Sequence, residues 1–410
     1  MNLAVRPETL GSAAAAPRPA AEIVDFAGLR ESGPAWDALL DGALYPNPFH
    51  GGFCLEAHAA AGLLPHRLRF VAVRDGEKLE ALLPFVPGGA LLGWRRAHRV
   101  WIPPQFSVDG TPLVGSARAQ ESAGALLDAM AGAGPLWRLP LVAIESPAGR
   151  ALLAACAERG FATATLSPFD RAVLRHRSGG YEPYARAHLS PSRRKALGRQ
   201  WRRLGQADGT VVAGFTEGEG LRQAVEAFLA LEARGWKGRR GTALAARPPG
   251  AALARALFTS SAGPVRGRAD VLSLDGRAIA ASLALVSGGT AFLLKTAHHE
   301  ALRALSPGVL LEDAILRAFL DEGFARKLDS ASLPGGILDD LYADRERIAD
   351  LAVATDPAIS PAALEAMAVH ERRREAVMAV LRSWYWRAVD WTDAIRPSRP
   401  ASNPSRRNKA

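Results

Sequence analysis

The stretch ADVLSLDGRAIAASLALVSGGTAFLLKTAHHEALRALSPGVL, residues 269–310, decides the fold. It predicts two strands joined at Asp275-Gly276, because Asp-Gly is a favoured hairpin turn. Gly288-Gly289 then turns the chain into a third strand, Thr290 to Thr296. A helix follows at Ser306-Pro307-Gly308, since Ser caps a helix and Pro fits its first turn. The order of these elements predicts a mixed α/β unit.

An earlier part of the chain repeats this order. Asp75-Gly76 separates an alternating strand, Arg67 to Arg74, from a return strand, Lys78 to Val86. A helix over Ala117 to Ala133 and a buried strand over Leu139 to Ile144 follow. No residue-level identity links the two halves, yet their element order is the same. The sequence therefore predicts an α/β (α+β) protein of two units in tandem, with mixed, mostly antiparallel sheets.

The remaining segments flank these units. The pattern after Asp356-Pro357 changes to one long helix, Pro361 to about Ile395. The N-terminal Ala/Pro tract and the C-terminal Pro/Ser/Arg tract predict disorder, because neither can bury enough apolar surface. The predicted division is a leader (1–21), a first unit (22–175), a second unit (176–356), a helical extension (357–396) and a disordered basic tail (397–410).

Composition excludes several classes of protein. The 410 residues are 48% hydrophobic and 22% charged, which excludes disorder over most of the chain. No run of 18 apolar residues predicts a transmembrane helix, and the N-terminus lacks the apolar core of a signal peptide. Two cysteines provide neither a disulfide framework nor a metal site. The adjacent His298 and His299 would point apart on a strand, so no metal is predicted. The cytoplasm is the expected location.

The net charge of +10 is concentrated in two places. Residues 171–205 hold ten Lys or Arg and one acid, and residues 361–410 hold ten and five. The first cluster includes a predicted helix, Arg193 to Gln206, with one wide basic face. The basic face lacks interleaved aromatics and any DNA-binding motif, which argues against nucleic acid and favours binding of an anionic donor or contact between the units.

A family resemblance rests on four strings in fixed order. They are EARGWKGRRGTAL at 232–244, DGRAIA at 275–280, FLLKTA at 292–297 and LSPG at 305–308. In that order they resemble the CelD/BioF2-like acyltransferases of the GNAT superfamily, relatives of the Fem peptidyltransferases, which have two GNAT units in tandem. The resemblance is strong over about 185–340 and weaker over 22–174.

The resemblance implies where an acyl donor would bind. GNAT proteins hold the pyrophosphate of acyl-CoA at the start of the helix after the fourth strand, where backbone N–H groups favour anions. In this chain the corresponding residues are Ser306, Gly308, Val309 and Leu310, with Arg303 just before them. The usual Q/R-x-x-G-x-G/A signature is replaced by a single Gly308 beside Pro307. Acetyl-CoA is the expected co-substrate, and acyl carrier protein or another activated donor stays open.

Chemistry requires an amine to lose a proton and a thiolate to gain one. The resemblance implies a tyrosine acid after the fifth strand, and Tyr342 on the segment 337–348 is the candidate; packing on an amphipathic helix is its alternative. Glu232 and Asp329 are the candidate bases. An ion pair with Arg234 or Lys237 is the alternative for Glu232.

The acceptor side is predicted from three residues. Trp236 and Lys237 lie in a Gly-flanked loop, which is a poor core pattern, and Lys295 interrupts an apolar strand and needs a partner. The resemblance implies an N-acetyltransferase acting on an amino sugar or on a cell-envelope or exopolysaccharide precursor. A non-catalytic GNAT-fold module that binds a nucleotide or an envelope-assembly partner is the alternative.

The basic region 361–410 has three candidate roles. Its helix mixes Trp and Tyr with Arg, a composition found in interfacial helices. It is expected to pack on the protein body or on a second copy, to touch a membrane surface peripherally, or to bind a regulatory nucleotide. The oligomeric state is left open.

Overall fold

The computed structural model describes residues 19–106, 108–205 and 210–395. The predicted leader therefore lies outside the described residues apart from residues 19–21, and the predicted tail lies outside them entirely. The first strand begins at Ala20, because residues 20–24 pair antiparallel with residues 70–74. The division of the chain at residues 175 and 176 stays a prediction.

The elements up to Arg175 alternate between strands and helices. In chain order they are β1 (Ala20–Val24), α1 (Phe26–Arg30), α2 (Gly33–Asp41), α3 (Gly52–Ala60), β2 (Arg69–Asp75), β3 (Lys78–Leu92), β4 (Arg95–Val100), β5 (Leu113–Val114), α4 (Ala119–Ala133), β6 (Leu136–Ala143), α5 (Pro147–Glu158), β7 (Ala162–Thr165) and β8 (Phe169–Arg175).

The elements after Arg175 follow a similar order. They are α6 (Tyr181–His188), α7 (Pro191–Gly205), β9 (Val211–Phe215), α8 (Gly218–Arg234), α9 (Trp236–Arg239), α10 (Pro248–Phe258), β10 (Val265–Leu274), β11 (Arg277–Ser287), β12 (Thr290–His298), α11 (Pro307–Glu322), β13 (Lys327–Asp329), α12 (Ile337–Leu341), β14 (Asp344–Ala354) and α13 (Pro361–Ile395).

The fourteen strands of the described residues form one sheet. Its main order is β1-β2-β3-β4-β6-β14-β8-β13-β12-β11-β10-β9, with β5 beside β3 and β7 beside β14. Only two neighbouring pairs in this described sheet, β4 with β6 and β12 with β13, run parallel. The fold is thus the predicted mixed, mostly antiparallel α/β arrangement of two GNAT-like units. The joining of both units into one continuous sheet was not predicted.

Both halves contain the same strand–helix–strand unit. Strands β2, β3 and β4 form an antiparallel set, and α4 crosses over to β6, which lies parallel to β4. Strands β10, β11 and β12 repeat that set, and α11 crosses over to β13, parallel to β12. In the second hairpin both Asp275 and Gly276 have positive φ, as a two-residue type I′ turn requires.

The two halves exchange strands at their seam. Strand β8 lies between β14 and β13, and β14, the last strand of the described chain, lies between β6 and β8. The end of the second half therefore completes the sheet of the first half. Neither half keeps all its sheet neighbours without the other.

Helices cover both faces of the second half of the sheet. One face of β10–β12 packs against α8 and α10, and the other packs against α6, α7 and α11. These two layers bury the apolar side chains that alternate along the strands. One end of β12 stays open between the layers, and the candidate site lies there.

The long helix α13 is present as predicted and packs on the first half. Its residues Leu364 and Ala368 are buried there, and the carboxylate of Glu371 accepts a hydrogen bond of 2.8 Å from Arg138 on β6. These contacts support the predicted packing of α13 on the protein body. Among the described residues, no helix is both long and apolar enough to cross a bilayer.

Candidate active site

A cleft opens where β12 and β13 part. The two strands pair only from Thr290 to Phe292, and the last pair is Phe292 with Asp329. Strand β12 continues to His298, whereas the chain after Asp329 turns away through Ala331, which has a φ of +50°. The carboxylate of Asp329 fixes this turn by accepting a hydrogen bond of 2.8 Å from the Ala331 N–H. The separation leaves a cleft of about 390 Å³.

Four segments line the cleft. They are the end of β12, the start of α11, the turn after β13 and the start of α12, through Leu293, Leu294, Lys295, Thr296, His298, Gly308, Val309, Glu312, Ser330, Ala331, Ser332, Gly336, Ile337 and Leu338. Leu294 is an extra residue in the β11–β12 ladder, since Leu283 pairs with Lys295 and Ala284 with Leu293. Such a bulge re-aims the strand beside the cleft.

The start of α11 forms the mouth of the cleft. Ser306 has a left-handed φ of +53°, and its hydroxyl accepts a hydrogen bond of 3.0 Å from the Gln200 amide on α7. Pro307 has no N–H, and the N–H of Leu310 bonds to the Ser306 carbonyl. The N–H groups of Gly308 and Val309 are thus the two left without an intrahelical acceptor, which suits them to an anion.

The other predicted donor residues occupy different environments. A Cβ at Gly308 would lie 3.2 Å from Nδ1 of His298, so the missing side chain keeps the mouth wide. Leu310 is fully buried in the core under α11 and does not line the cleft. Arg303 is exposed on the short 3₁₀ turn Glu300–Leu305 that leads to the mouth.

A buried carboxyl, which the sequence analysis missed, lies in the wall of the cleft. Glu312 on α11 is 5% exposed, and its Oε1 accepts a hydrogen bond of 2.7 Å from the Thr296 hydroxyl. Its Oε2 is buried and has no hydrogen-bond partner among the described residues. Burial raises the pKa of this carboxyl from 4.5 to about 7, opposed by the Thr296 hydrogen bond and assisted by the charge of Asp270.

Tyr342 lies at the end of α12, directly before β14. It is a buried side chain in the α11 core layer, and its hydroxyl has no hydrogen-bond partner among the described residues. Burial and then the charge of Glu312 raise the pKa of this hydroxyl well above 10. The Tyr342 hydroxyl thus lies near enough to Glu312 to be affected by its charge, although Tyr342 itself is not among the residues that line the cleft.

A second, small pocket of about 50 Å³ lies at the same end of β12. It is lined by Leu231, Glu232, Gly235, Trp236, Lys237, Thr296, Ala297, His298 and Glu300. Thr296 and His298 also line the cleft, so the two spaces meet at β12. The predicted acceptor residues Trp236 and Lys237 are therefore next to the predicted donor site.

The carboxylate of Glu232 is fully occupied. Its Oε1 accepts from the Lys237 ammonium at 2.8 Å, and its Oε2 accepts from the Leu244 N–H at 2.8 Å. This arrangement is the ion pair that was the alternative for Glu232, and it fixes Lys237 at the pocket. Trp236 stays half exposed, with the Arg240 guanidinium 5.1 Å from its ring centroid.

Lys295 belongs to the cleft and is not among the residues that line the small pocket. It lines the cleft, and its ammonium lies 5.4 Å from the ring centroid of Phe106 in the first half. Burial and the charge of Lys237 lower the pKa of Lys295, while Glu232 raises it. An anionic group in the pocket would therefore relieve the repulsion between these two lysines.

Asp329 lies at the seam instead of in the cleft. It is fully buried, and its carboxylate lies 3.7 Å from the Arg171 guanidinium, with the Lys327 ammonium at 4.0 Å. Its hydrogen bond to Ala331 shapes the turn that opens the cleft. Its position therefore favours a structural role over that of a base facing an acceptor.

The residues that the sequence analysis missed carried weak signals. Thr296 and His298 are two residues apart on β12 and so point to one face, that of α11, whereas the bulge residue Leu294 packs on the other face. Glu312 is an acid between the apolar pairs Leu310-Leu311 and Ile315-Leu316, a position where an amphipathic helix faces the core. A buried acid needs a hydrogen-bond or ion-pair partner, so this position could have indicated that Glu312 is a candidate site residue.

Comparisons with known proteins agree with this geometry. Residues 191–331 match the sequence profile of the family described as acetyltransferase (GNAT) domain. The crystal structure of FemX is 12% identical, with a TM-score of 0.52, and the match covers 80% of this chain and 96% of FemX. The likeness to FemX at this identity concerns the fold.

Two further solved structures align at lower scores. A tandem GNAT protein from the clavulanic acid biosynthesis pathway has a TM-score of 0.41 at 15% identity, covering 82% of this chain and 99% of that one. L-PGS from Bacillus licheniformis has a TM-score of 0.45 at 13% identity, covering 83% and 96%. No curated protein sequence matches the chain significantly.

The matched residues contain α7, the β10–β12 set, the crossover helix α11 and β13, and with them most of the cleft lining; Ser332 and the start of α12 lie beyond the match. Residues 191–331 therefore match a GNAT acetyltransferase domain, and the residues before them form a unit with a similar order of strands and helices.

Proposed function

We propose that the protein is an N-acyltransferase that moves an acyl group from a pantetheine thioester, with acetyl-CoA as the expected donor, to an amine. The observation that carries the proposal is the cleft between the parting strands β12 and β13, with the start of α11 at its mouth. A thioester arm fits such a narrow, largely apolar cleft, and its phosphate end would meet the N–H groups of Gly308 and Val309.

Acyl transfer needs a balanced movement of one proton. The amine attacks the thioester carbon, the C–N bond forms, the C–S bond breaks, and the proton lost by nitrogen is gained by sulfur. In this proposal Tyr342 supplies the proton to sulfur, because its buried hydroxyl lies near Glu312 in the cleft wall and has no hydrogen-bond partner among the described residues. Glu312 holds the proton taken from the amine, since burial and the Thr296 hydrogen bond leave it close to half ionised at neutral pH.

The acceptor would enter through the small pocket. Trp236 gives it an apolar wall, and Lys237 and Lys295 give it positive charge. Stacking on an indole and charge pairing with a phosphate suit a phosphorylated amino sugar or another envelope or exopolysaccharide precursor. We propose this acceptor class from the pocket's chemistry and from the family resemblance.

Thiol release tests the reaction. Purified protein is incubated with acetyl-CoA and a panel of amino sugars, while free thiol and acylated amine are measured. Tyr342→Phe and Glu312→Gln should each lower kcat by about 10²-fold, and Tyr181→Phe, a buried tyrosine outside the cleft, should not. Absence of thiol release with acetyl-CoA and with acetyl-pantetheine, together with no binding of either by calorimetry, would remove the proposal.

We also propose a cytoplasmic protein that touches a membrane surface through residues 361–410. Val377 and Met378, on the part of α13 beyond its contact with the first half, are 59% and 42% exposed. Exposed apolar side chains beside arginines suit the interface of an anionic bilayer. Sedimentation with anionic vesicles, with and without residues 377–410, tests this, and equal sedimentation of both proteins would reject it.

A further inference from the structure

Helix α7 carries one continuous basic face. Its members recur every three or four residues, as one face of a helix requires, and they enclose a groove of about 490 Å³ lined by Pro191, Arg194, Lys195, Gly198, Arg199 and Arg202. We call these residues the α7 basic face. Over 15 residues α7 extends about 22 Å, so the face is a narrow stripe.

The charges of this face are not neutralised by ion pairs within the described part of the chain. Arg193, at its border, pairs with Asp340. The other cations, Arg194, Lys195, Arg199 and Arg202, form no ion pair with the residues that the structure describes. Four cations without ion-pair partners on one stripe create a local positive potential. An acidic partner bound there would reduce the repulsion among them, so its binding would be favourable.

The helix that carries the face is held against the mouth of the cleft by its opposite side. Gln200, on the same helix, donates its 3.0 Å hydrogen bond to Ser306 at the start of α11. The Trp201 indole donates to the carboxylate of Asp313 at 2.7 Å, and Leu197 and Leu204 are buried beneath the helix. A partner bound to the α7 basic face would therefore lie across one helix diameter, about 10 Å, from the point where a donor enters.

The mouth of the cleft is better suited to one phosphate than to two. Pro307 removes one N–H from the first turn, and the Leu310 N–H is already bonded, which leaves those of Gly308 and Val309. Two donors match a single phosphodiester, whereas a pyrophosphate presents twice the charge. A phosphopantetheine arm attached to a protein has one phosphodiester, and CoA has a pyrophosphate and a further phosphate.

We propose that the α7 basic face docks an acidic carrier protein, which presents the acyl donor as a phosphopantetheine thioester to the cleft. This inference rests on the proposed acyl transfer and names the carrier of its donor. The acidic surface of the carrier pairs with the stripe, and its single phosphate meets the start of α11. The Trp201 indole is engaged by Asp313, and no aromatic side chain lies among the groove residues for stacking of bases, which favours a protein over RNA.

The test compares three donors that share one thioester. Acyl-pantetheine has no carrier, acyl-CoA has a nucleotide, and a purified acyl carrier protein bearing the same acyl group has an acidic protein surface. The double variant Arg194→Glu/Arg199→Glu should lower kcat/KM for the carrier-bound donor by on the order of tenfold or more. It should leave acyl-pantetheine unchanged. Arg67→Glu, an exposed cation of the first half, is the matched control and should change neither value.

Added salt provides a second readout. Raising the ionic strength should reduce kcat/KM for the carrier-bound donor and not for acyl-pantetheine, because exposed charges are screened. An equal loss with acyl-CoA and with the carrier-bound donor would reject the carrier in favour of CoA phosphates. Inhibition of the carrier reaction by tRNA and not by unloaded carrier protein would reject it in favour of RNA. Turnover of acyl-pantetheine alone would keep the proposed function and reject the carrier.

Discussion

Replacing Glu312 by Gln should stabilise the protein at pH 8 while it lowers activity. Glu312 keeps its proton up to about pH 7 in the folded state and up to 4.5 in the unfolded state. Between these values unfolding releases a proton, so the free energy of unfolding falls as pH rises and then stays constant. A difference of about 2.5 pKa units corresponds to about 3 kcal/mol.

The expected increase in the free energy of unfolding at pH 8 is smaller than this value of about 3 kcal/mol. The amide that Glu312→Gln introduces can still accept the Thr296 hydrogen bond, but its NH₂ replaces an oxygen that has no partner among the described residues. An unsatisfied buried donor costs roughly 1 kcal/mol, which leaves a gain of about 2 kcal/mol. At pH 4, where the carboxyl is mostly neutral in both states, only that cost remains, so the variant should be less stable than the wild type by roughly 1 kcal/mol.

Urea denaturation, followed by tryptophan fluorescence at pH 4 and pH 8, measures the free energies of unfolding of the wild type and of Glu312→Gln. The activity profile supplies the matching signature, since kcat of the wild type should rise with pH through about 7 and that of Glu312→Gln should be low and flat. Thr296→Val removes a bond that lowers the pKa of Glu312, so its profile should shift to higher pH. Equal destabilisation of Glu312→Gln at both pH values would refute the assigned protonation of this carboxyl.

Three other changes test separate parts of the structure. Gly308→Ala adds a methyl group that displaces the His298 ring into the cleft mouth, and it should raise the donor KM by roughly tenfold with kcat little changed, measured by initial rates. Asp313→Ala removes the common acceptor of Trp201, Tyr181 and Arg317 and should lower the free energy of unfolding by about 3 kcal/mol; a loss below about 1 kcal/mol would contradict this anchor. Deleting residues 361–410 should lower Tm, because the contacts of α13 with the first half are lost, and an unchanged Tm in a calorimetric scan would count against that docking.

The hairpins and the crossover helix were predictable because their signals are local. Asp275-Gly276 takes the positive φ values that a tight turn requires, and Pro307 fits the first turn of α11. The helix predicted to follow at Ser306-Pro307-Gly308 is α11, which begins at Pro307. Such features depend on a few neighbouring residues, so pattern and propensity suffice to place them.

The strand exchange and the Glu312–Thr296 contact were not predictable in the same way. Strand β14 pairs with β6 and β8, which are some 170–220 residues earlier in the chain, and the alternation of apolar residues along β14 does not indicate which strands it pairs with. Tyr342 was predicted on the segment 337–348, yet α12 ends at Leu341 and a strand begins at Asp344. The sequence shows Glu312 only as a helix residue, because its contact with Thr296 depends on where β12 lies in the fold.

The seam between the halves has a consequence for how the chain can be cut. A break in the loop between β8 and α6, at residues 176–180, would leave each fragment short of a sheet neighbour that the other fragment holds. Each fragment alone would then expose an unpaired strand edge, a surface prone to aggregation. Fragments produced together would supply each other's missing strand and reassemble. The protein thus consists of two similar units that fold as one. Its two fragments should fold only when both are present.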